Sequence, residues 1–162
     1  MNKVYTIGVI GFNADTFFGA LQKAGVDTLI DIRRRRDVRG RDYAFANSLR
    51  LQARLAELGI NYLHRLDLAP TKSMIEIQMD ADHAAHVPTR QREVLSPAFA
   101  EAYKRDVLAN FDPHALATEL PADAVVALMC VERDPKACHR SLVAARLGKA
   151  LGIEVAHLVP AD

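Results

Sequence analysis

The sequence predicts a three-layer α/β fold, a mostly parallel five-stranded sheet with helices on both faces. Two observations lead there. Short apolar runs rich in β-branched residues alternate with amphipathic stretches at helical spacing. The strand candidates are also apolar throughout rather than at every second residue, the character of strands buried on both faces of a parallel sheet.

The elements follow in order. Residues 4–10 form a first buried strand, and Asn13 or Asp15 caps a helix carrying Phe17, Leu21 and Ala24 at helical spacing until Gly25 ends it. Residues 26–32 read as a second strand, 48–58 as a helix closed by Gly59, and 60–64 as a third strand. Between 66 and 96 the pattern weakens. Pro70 and Thr71 open a helix expected to reach about Met79, whereas 80–92 is polar without a period and is expected to be an excursion or mobile loop. Ser96 followed by Pro97 starts a helix running to about Asn110. Residues 123–130 are a fourth strand, 139–151 a helix closed by Gly152, and 153–159 the last strand.

At 162 residues, half of them apolar, the chain has the size and composition of one soluble domain spanning 1–162. A net charge of +1 makes no global case for binding nucleic acid or a membrane. The apolar start is too short to span a bilayer and lacks a small-residue cleavage site, so a cytoplasmic location is expected. There two cysteines are catalytic, metal-binding or simply buried more often than disulfide-bonded, and a bridge between them is expected only as a redox event.

Residues 125–141, VVALMCVERDPKACHRS, are the richest in chemistry. An apolar run ends in Cys130; Glu132 and Asp134 occupy a polar loop; Cys138, His139, Arg140 and Ser141 then stand in a row before a helical pattern. In a parallel sheet the carboxyl ends of the strands share one edge, so Gly8, Arg33, His64, Cys130 and this loop should converge. Together with Tyr5-Thr6-Ile7-Gly8, Asp31-Ile32-Arg33 and Leu68-Ala69-Pro70-Thr71-Lys72, the Cys130-x-Glu132 and Cys138-His139-Arg140-Ser141 pieces resemble the uncharacterised family called domain of unknown function 488. The resemblance implies a compact α/β fold and no established activity. The family pattern has a His after Thr-Ile-Gly, and here that place is Val9.

Each candidate has a structural and a chemical reading. Cys130 is either a small core hydrophobe or a nucleophile whose thiolate is favoured by loop N–H groups, the following helix or Arg140. The layout resembles the rhodanese sulfurtransferases, in which a strand ends in the reactive Cys, and residues 29–33 look like an early strand of those domains. The acids and proline of the loop make a poor cradle for a persulfide, and the cysteine phosphatase pattern fails because Lys136 stands where its Arg would be. Cys130, Cys138 and His139 are donors of the kind zinc takes, yet neighbouring Cys138 and His139 would have to turn to one ion, and the spacing matches no common finger. Neither a metal nor another cofactor is expected. A short turn at 135–137 with the last helix starting near His139 is preferred, leaving Arg140 to pair with Glu132, Asp31 or an anionic ligand. The basic loop from Arg33 to Arg41 is a solvated charge run or an anion-recognition element, with Tyr43 and Phe45 able to stack on bases. His83 and His86 read as exposed loop residues.

The resulting expectation is an enzyme-like protein of unassigned reaction that binds a small phosphorylated or otherwise anionic ligand at the strand carboxyl ends. Arg33 and Arg140 would clamp the anion, with Asp31, Ser141 and Lys72 beside them. Glu132 or His139 would move protons, and Cys130 or Cys138 would be the nucleophile of any covalent step. The alternatives are a nucleic-acid-binding accessory protein using the basic loop, and a sulfurtransferase-like or thiol-redox protein using Cys130.

Overall fold

The computed structural model describes residues 1–162. Strands β1 (Lys3–Ile7), β2 (Thr28–Asp31), β3 (Asn61–His64), β4 (Val125–Met129) and β5 (Glu154–Leu158) form one sheet in the order β3-β2-β4-β1-β5. Every pairing is parallel, so the sheet is wholly rather than mostly parallel. The helices are α1 (Ala14–Lys23), α2 (Ser48–Glu57), α3 (Lys72–Ala84), α4 (Pro97–Asp106), α5 (Pro113–Thr118) and α6 (Arg140–Leu151).

The strands alternate between two cores, as a period of two demands. Ile7, Leu29, Ala127 and Met129 pack with Phe17, Leu21, Leu51 and Leu55 of α1 and α2. Val4, Ile30, Val126 and Leu128 point the other way, into Met74, Phe99, Tyr103, Leu116, Val143 and Leu147 of α3 to α6. Three layers result because both faces of the sheet are apolar and each needs a cover.

Local chemistry sets the ends. Asn13, not Asp15, caps α1: its side chain accepts from Thr16 N at 2.9 Å while Thr16 Oγ1 accepts from Asn13 N at 3.0 Å. Thr71 and Ser96 cap α3 and α4 more simply, each hydroxyl accepting from the backbone N–H three residues on. Helix α3 runs past Met79 to Ala84, so the first part of the expected excursion is helical. Its buried residues there are Met74, Gln78 and Asp82, four apart; two of them are polar, and no apolar period could announce them. Residues 85–95 make the real excursion, with a single 3-10 turn at Thr89–Gln91. Helix α5, capped by Asp112 and started by Pro113, was absent from the sequence reading.

The loop after β2 leads to α2 on one face and the loop after β4 leads to α6 on the other, although the two strands are neighbours. Loops that part in this way leave a crevice at the carboxyl edge, the usual ligand position in open α/β sheets.

Candidate functional site

Cys130 follows β4 directly, its N–H donating to the Ile7 carbonyl at 3.1 Å. The loop beyond it is fastened to the β1 exit by Val9 N and Ile10 N, which donate to the Val131 carbonyl at 2.9 and 3.0 Å. Gly8 admits this approach: a Cβ there would overlap the Glu132 carbonyl. Val9 itself is fully buried in the α1/α2 core. A turn at Pro135–Ala137, with Asp134 Oδ1 accepting from Lys136 N at 2.8 Å, brings the chain back towards Cys130. Cys138 is extended and His139 is already helical, so these neighbours swing to the same place.

The thiols and imidazole meet there. His139 Nδ1 lies 3.6 Å from Cys130 Sγ and 3.7 Å from Cys138 Sγ. The ring's Nε2 is 2.9 Å from the Ile32 carbonyl, which can only accept, so Nε2 carries a proton, and whenever the ring is neutral Nδ1 presents its lone pair to the sulfurs. Cys130 Sγ donates to Glu132 Oε2 at 3.3 Å, and Glu132 Oε1 accepts from Arg92 Nη2 at 2.9 Å. Arg92 also binds Asp82 Oδ2 at 2.6 Å and the Ala137 carbonyl at 3.2 Å.

Across the crevice, Arg33 is held in a bidentate grip by Asp31, Nε to Oδ1 at 2.9 Å and Nη2 to Oδ2 at 2.8 Å. Asp31 also accepts from Tyr62 Oη at 2.7 Å, and His64 Nε2 donates to the Arg33 carbonyl at 3.0 Å. Arg33 Nη1 is buried and has no partner. Asp31 is fully buried behind its arginine, so it orients Arg33.

A cavity of about 240 Å³ joins the two walls, lined by Arg33, Arg34, Arg35, Arg92, Cys130, Glu132, Cys138 and His139 with Ile75, Met79, Leu95 and Phe99. A wider depression of about 570 Å³ between α1 and α2, lined by Asp15, Arg41, Arg50 and Arg54, contains no nucleophile.

Burial sets the electrostatics of the cluster. It pushes the Cys130 thiol well above its usual value, and neighbouring Cys138 adds to the effect. Burial works the same way on Cys138, but the neighbouring Cys130 thiol and the His139 and Arg140 charges outweigh it and hold Cys138 well below the thiol range. Of the two thiols named on sequence, the surroundings of Cys138 favour a charge and those of Cys130 oppose one. Burial, then Cys138, raises Glu132 to about 7. Burial opposes a charge on His139, yet Cys138 and the Ile32 carbonyl leave it above its ordinary value.

Several expected residues are elsewhere or differently engaged. Arg140 is fully buried, and instead of a carboxylate it binds main chain: Nη1 donates to the Glu132 carbonyl at 2.6 Å and Nη2 to the Arg133 carbonyl at 3.0 Å, while Nε points at Thr6 Oγ1 at 3.4 Å. A guanidinium has donors for all three, and the loop carbonyls have no strand to pair with. Arg140 therefore shapes the loop and does not line the cavity. Ser141 Oγ donates to the Cys138 carbonyl at 3.0 Å, bracing the turn. Lys72 is exposed at the start of α3, outside the cavity lining. In the basic loop Arg34 donates to the Pro70 carbonyl, Arg36 approaches Tyr62 Oη, and Phe45 packs against Phe17 at 5.3 Å between ring centroids. Arg92 was missed on sequence, where it stood in a stretch without period. Nothing local marks it, because its partners Asp82 and Glu132 lie in other segments of the chain.

Fold and site together define a parallel α/β protein whose cavity, lined by arginines, thiols and an imidazole beside apolar side chains, sits where neighbouring strand exits diverge. No helix is long and apolar enough to cross a membrane. The chain belongs to the family described as domain of unknown function DUF488, whose model matches residues 13–147. That span holds Asp31, Arg33 and the whole segment from β4 to Ser141. No curated protein and no solved structure matches the chain.

Proposed function

We propose that the protein is an enzyme acting on a small anionic substrate, phosphorylated or otherwise, held between the exits of β2 and β4. The observation that carries this reading is Arg33 Nη1, a buried donor without a partner in the wall of the cavity that also exposes the thiols and His139. Asp31 occupies the other edge of the guanidinium, so the free N–H is pre-aimed and loses little freedom when it binds oxygen. Arg34, Arg35 and Arg92 also line the cavity, against the single carboxylate of Glu132. His139 Nδ1 is within reach of both sulfurs and is oriented by the Ile32 carbonyl, the arrangement of a base beside a nucleophile. Cys138 or Cys130 supplies that nucleophile, and Glu132 a second proton carrier.

A thermal-melting screen over phosphate, sulfate, nucleotides, sugar phosphates and thiosulfate tests it. Dose-dependent stabilisation by one anion class, lost in Arg33→Lys, is the expected outcome. Indifference of the wild-type melt to every anion removes the reading.

A second reading, sulfur transfer at a thiol, is favoured by the approach of two sulfurs to one imidazole. Thiosulfate would pass its sulfane sulfur to a thiolate and leave as sulfite, adding one sulfur to the protein mass. An unchanged intact mass after incubation with thiosulfate excludes that chemistry.

A further inference from the structure

Three soft or borderline donors from two loop segments converge on one point. The Sγ atoms of Cys130 and Cys138 and Nδ1 of His139 all lie within 4.8 Å of one another. The two sulfur-to-nitrogen separations are 3.6 and 3.7 Å. A tetrahedral zinc ion, with Zn–S near 2.3 Å and Zn–N near 2.0–2.1 Å, sets S···N edges of about 3.6 Å. We propose that Cys130, Cys138 and His139 bind a thiophilic divalent ion of the zinc type, with the fourth position open to the cavity.

Three further features fit the donor set. The lone pair of His139 is at Nδ1 because Nε2–H is given to the Ile32 carbonyl at 2.9 Å, the outer contact that metal-ligating imidazoles make. The objection that adjacent Cys138 and His139 would face different ways fails here, because an extended Cys138 followed by a helical His139 brings both to one side. The frame is also rigid before any ion arrives. Arg140 holds two loop carbonyls, and Ser141 holds that of Cys138. A preorganised site of this kind takes up metal without refolding, releasing the thiol protons as the thiolates form.

The open position is where chemistry would occur. Cys130, Cys138 and His139 line the same cavity as Arg33, so an ion among them faces the free Nη1 across it. Three protein ligands with an exchangeable fourth distinguish a reactive zinc centre from a closed structural one. Glu132 stands beside Cys130 at 3.3 Å and is steadied by Arg92, in reach of a water or anion in the open place. The metal site rests on donor geometry alone; only the use of its open position rests on the anion reading above.

Titration of the reduced, metal-free chain with Co²⁺ tests the proposal. The expected result is one bound ion per chain, with strong visible bands of tetrahedral Co²⁺ and near-ultraviolet thiolate-to-metal charge transfer. One equivalent of Zn²⁺ should bleach both, since zinc outranks cobalt at such donors. Cys130→Ser and Cys138→Ser should each lower the charge-transfer intensity by about half, because each removes one of two thiolates. His139→Gln should weaken binding by at least about tenfold. Zn²⁺ should also protect both thiols of the wild-type chain from alkylation, a readout that needs no variant to fold. Absence of tetrahedral bands, or alkylation unchanged by Zn²⁺, overturns the site. Phosphate or thiosulfate added to the Co²⁺ form separates the two proposals. Tetrahedral bands that no anion shifts uphold the metal site while removing the anion reading. Anion stabilisation of a chain that binds no Co²⁺ overturns the metal site alone.

Discussion

The two walls of the crevice each bury an arginine just beyond a strand or at a helix start, and they use it in opposite ways. Arg33, after β2, leans on a carboxylate and keeps one buried N–H unpaired in a side chain that lines the cavity. Arg140, at the start of α6, meets no carboxylate and gives its donors to loop carbonyls and a threonine hydroxyl. Composition cannot tell the two apart. Their partners do: a side-chain anion leaves guanidinium capacity over for a ligand, whereas a curled main chain consumes it. The one keeps a buried donor unpaired, and the other spends its donors on the loop.

The comparison is most easily broken at Arg140. Arg140→Met should cost about 3–5 kcal/mol, since it removes a buried guanidinium that satisfies two partly buried loop carbonyls. That is a large share of a domain's whole margin, and urea unfolding will report it. A variant within about 1 kcal/mol of wild type would mean the carbonyls find water, and the scaffold role falls.

Gly8→Ala probes the same grip from the other side. The added methyl must displace the Glu132 carbonyl that Arg140 holds, so a loss of about 1–3 kcal/mol is expected. If Gly8→Ala melts like wild type, the loop yields and Arg140 does not fix it.

At Arg33 the contrast predicts a binding effect larger than the folding effect. Arg33→Lys retains a cation for Asp31 but loses the planar fork, so anion affinity should fall roughly tenfold or more while the unfolding midpoint shifts little. Equal affinities in the melting screen would assign the anion to the rim arginines instead.

The smallest effect is at His157, whose Nδ1 lies 2.7 Å from Thr6 Oγ1, the hydroxyl Arg140 points at. Burial, then the Arg140 charge, lowers its pKa from the usual 6.5. The unfolded chain therefore binds the proton more readily. The stabilisation from keeping this ring neutral is complete above pH 6.5 and is lost as pH falls through that value towards the folded pKa. Wild type and His157→Gln, compared by urea unfolding on both sides of that value, should diverge on the acid side. Parallel curves would show that His157 titrates alike in both states.

The sheet was legible because apolar β-rich runs and caps such as Asn13 and Ser96 are written in neighbouring residues. The meeting of Arg33 with the residues from Cys130 to His139 was legible for a topological reason, since parallel strands bring their exits together. What stayed hidden has no local signature. Gln78 and Asp82 form a buried polar face on α3 that exists only because Ser96 N and Arg92 come to meet it. The partners of Arg140 are carbonyls, which every residue carries, so no pattern of side chains could single them out. The shared orientation of Cys138 and His139 is decided by one pair of backbone torsions at a helix start.

Arg92 ties the 85–95 excursion to the chemistry. It is the one side chain joining Asp82 of α3, Glu132 and the Ala137 carbonyl. The excursion around it is otherwise mostly exposed, tied down besides by Arg90 on the Arg39 carbonyl and by Leu95 against the core. Segments of that kind open long before the core does. Each such opening would pull the positive partner from Glu132 and remove part of one cavity wall. Opening of the excursion is thereby tied to breaking two largely buried ion pairs at one guanidinium, which added salt screens little while the excursion stays closed.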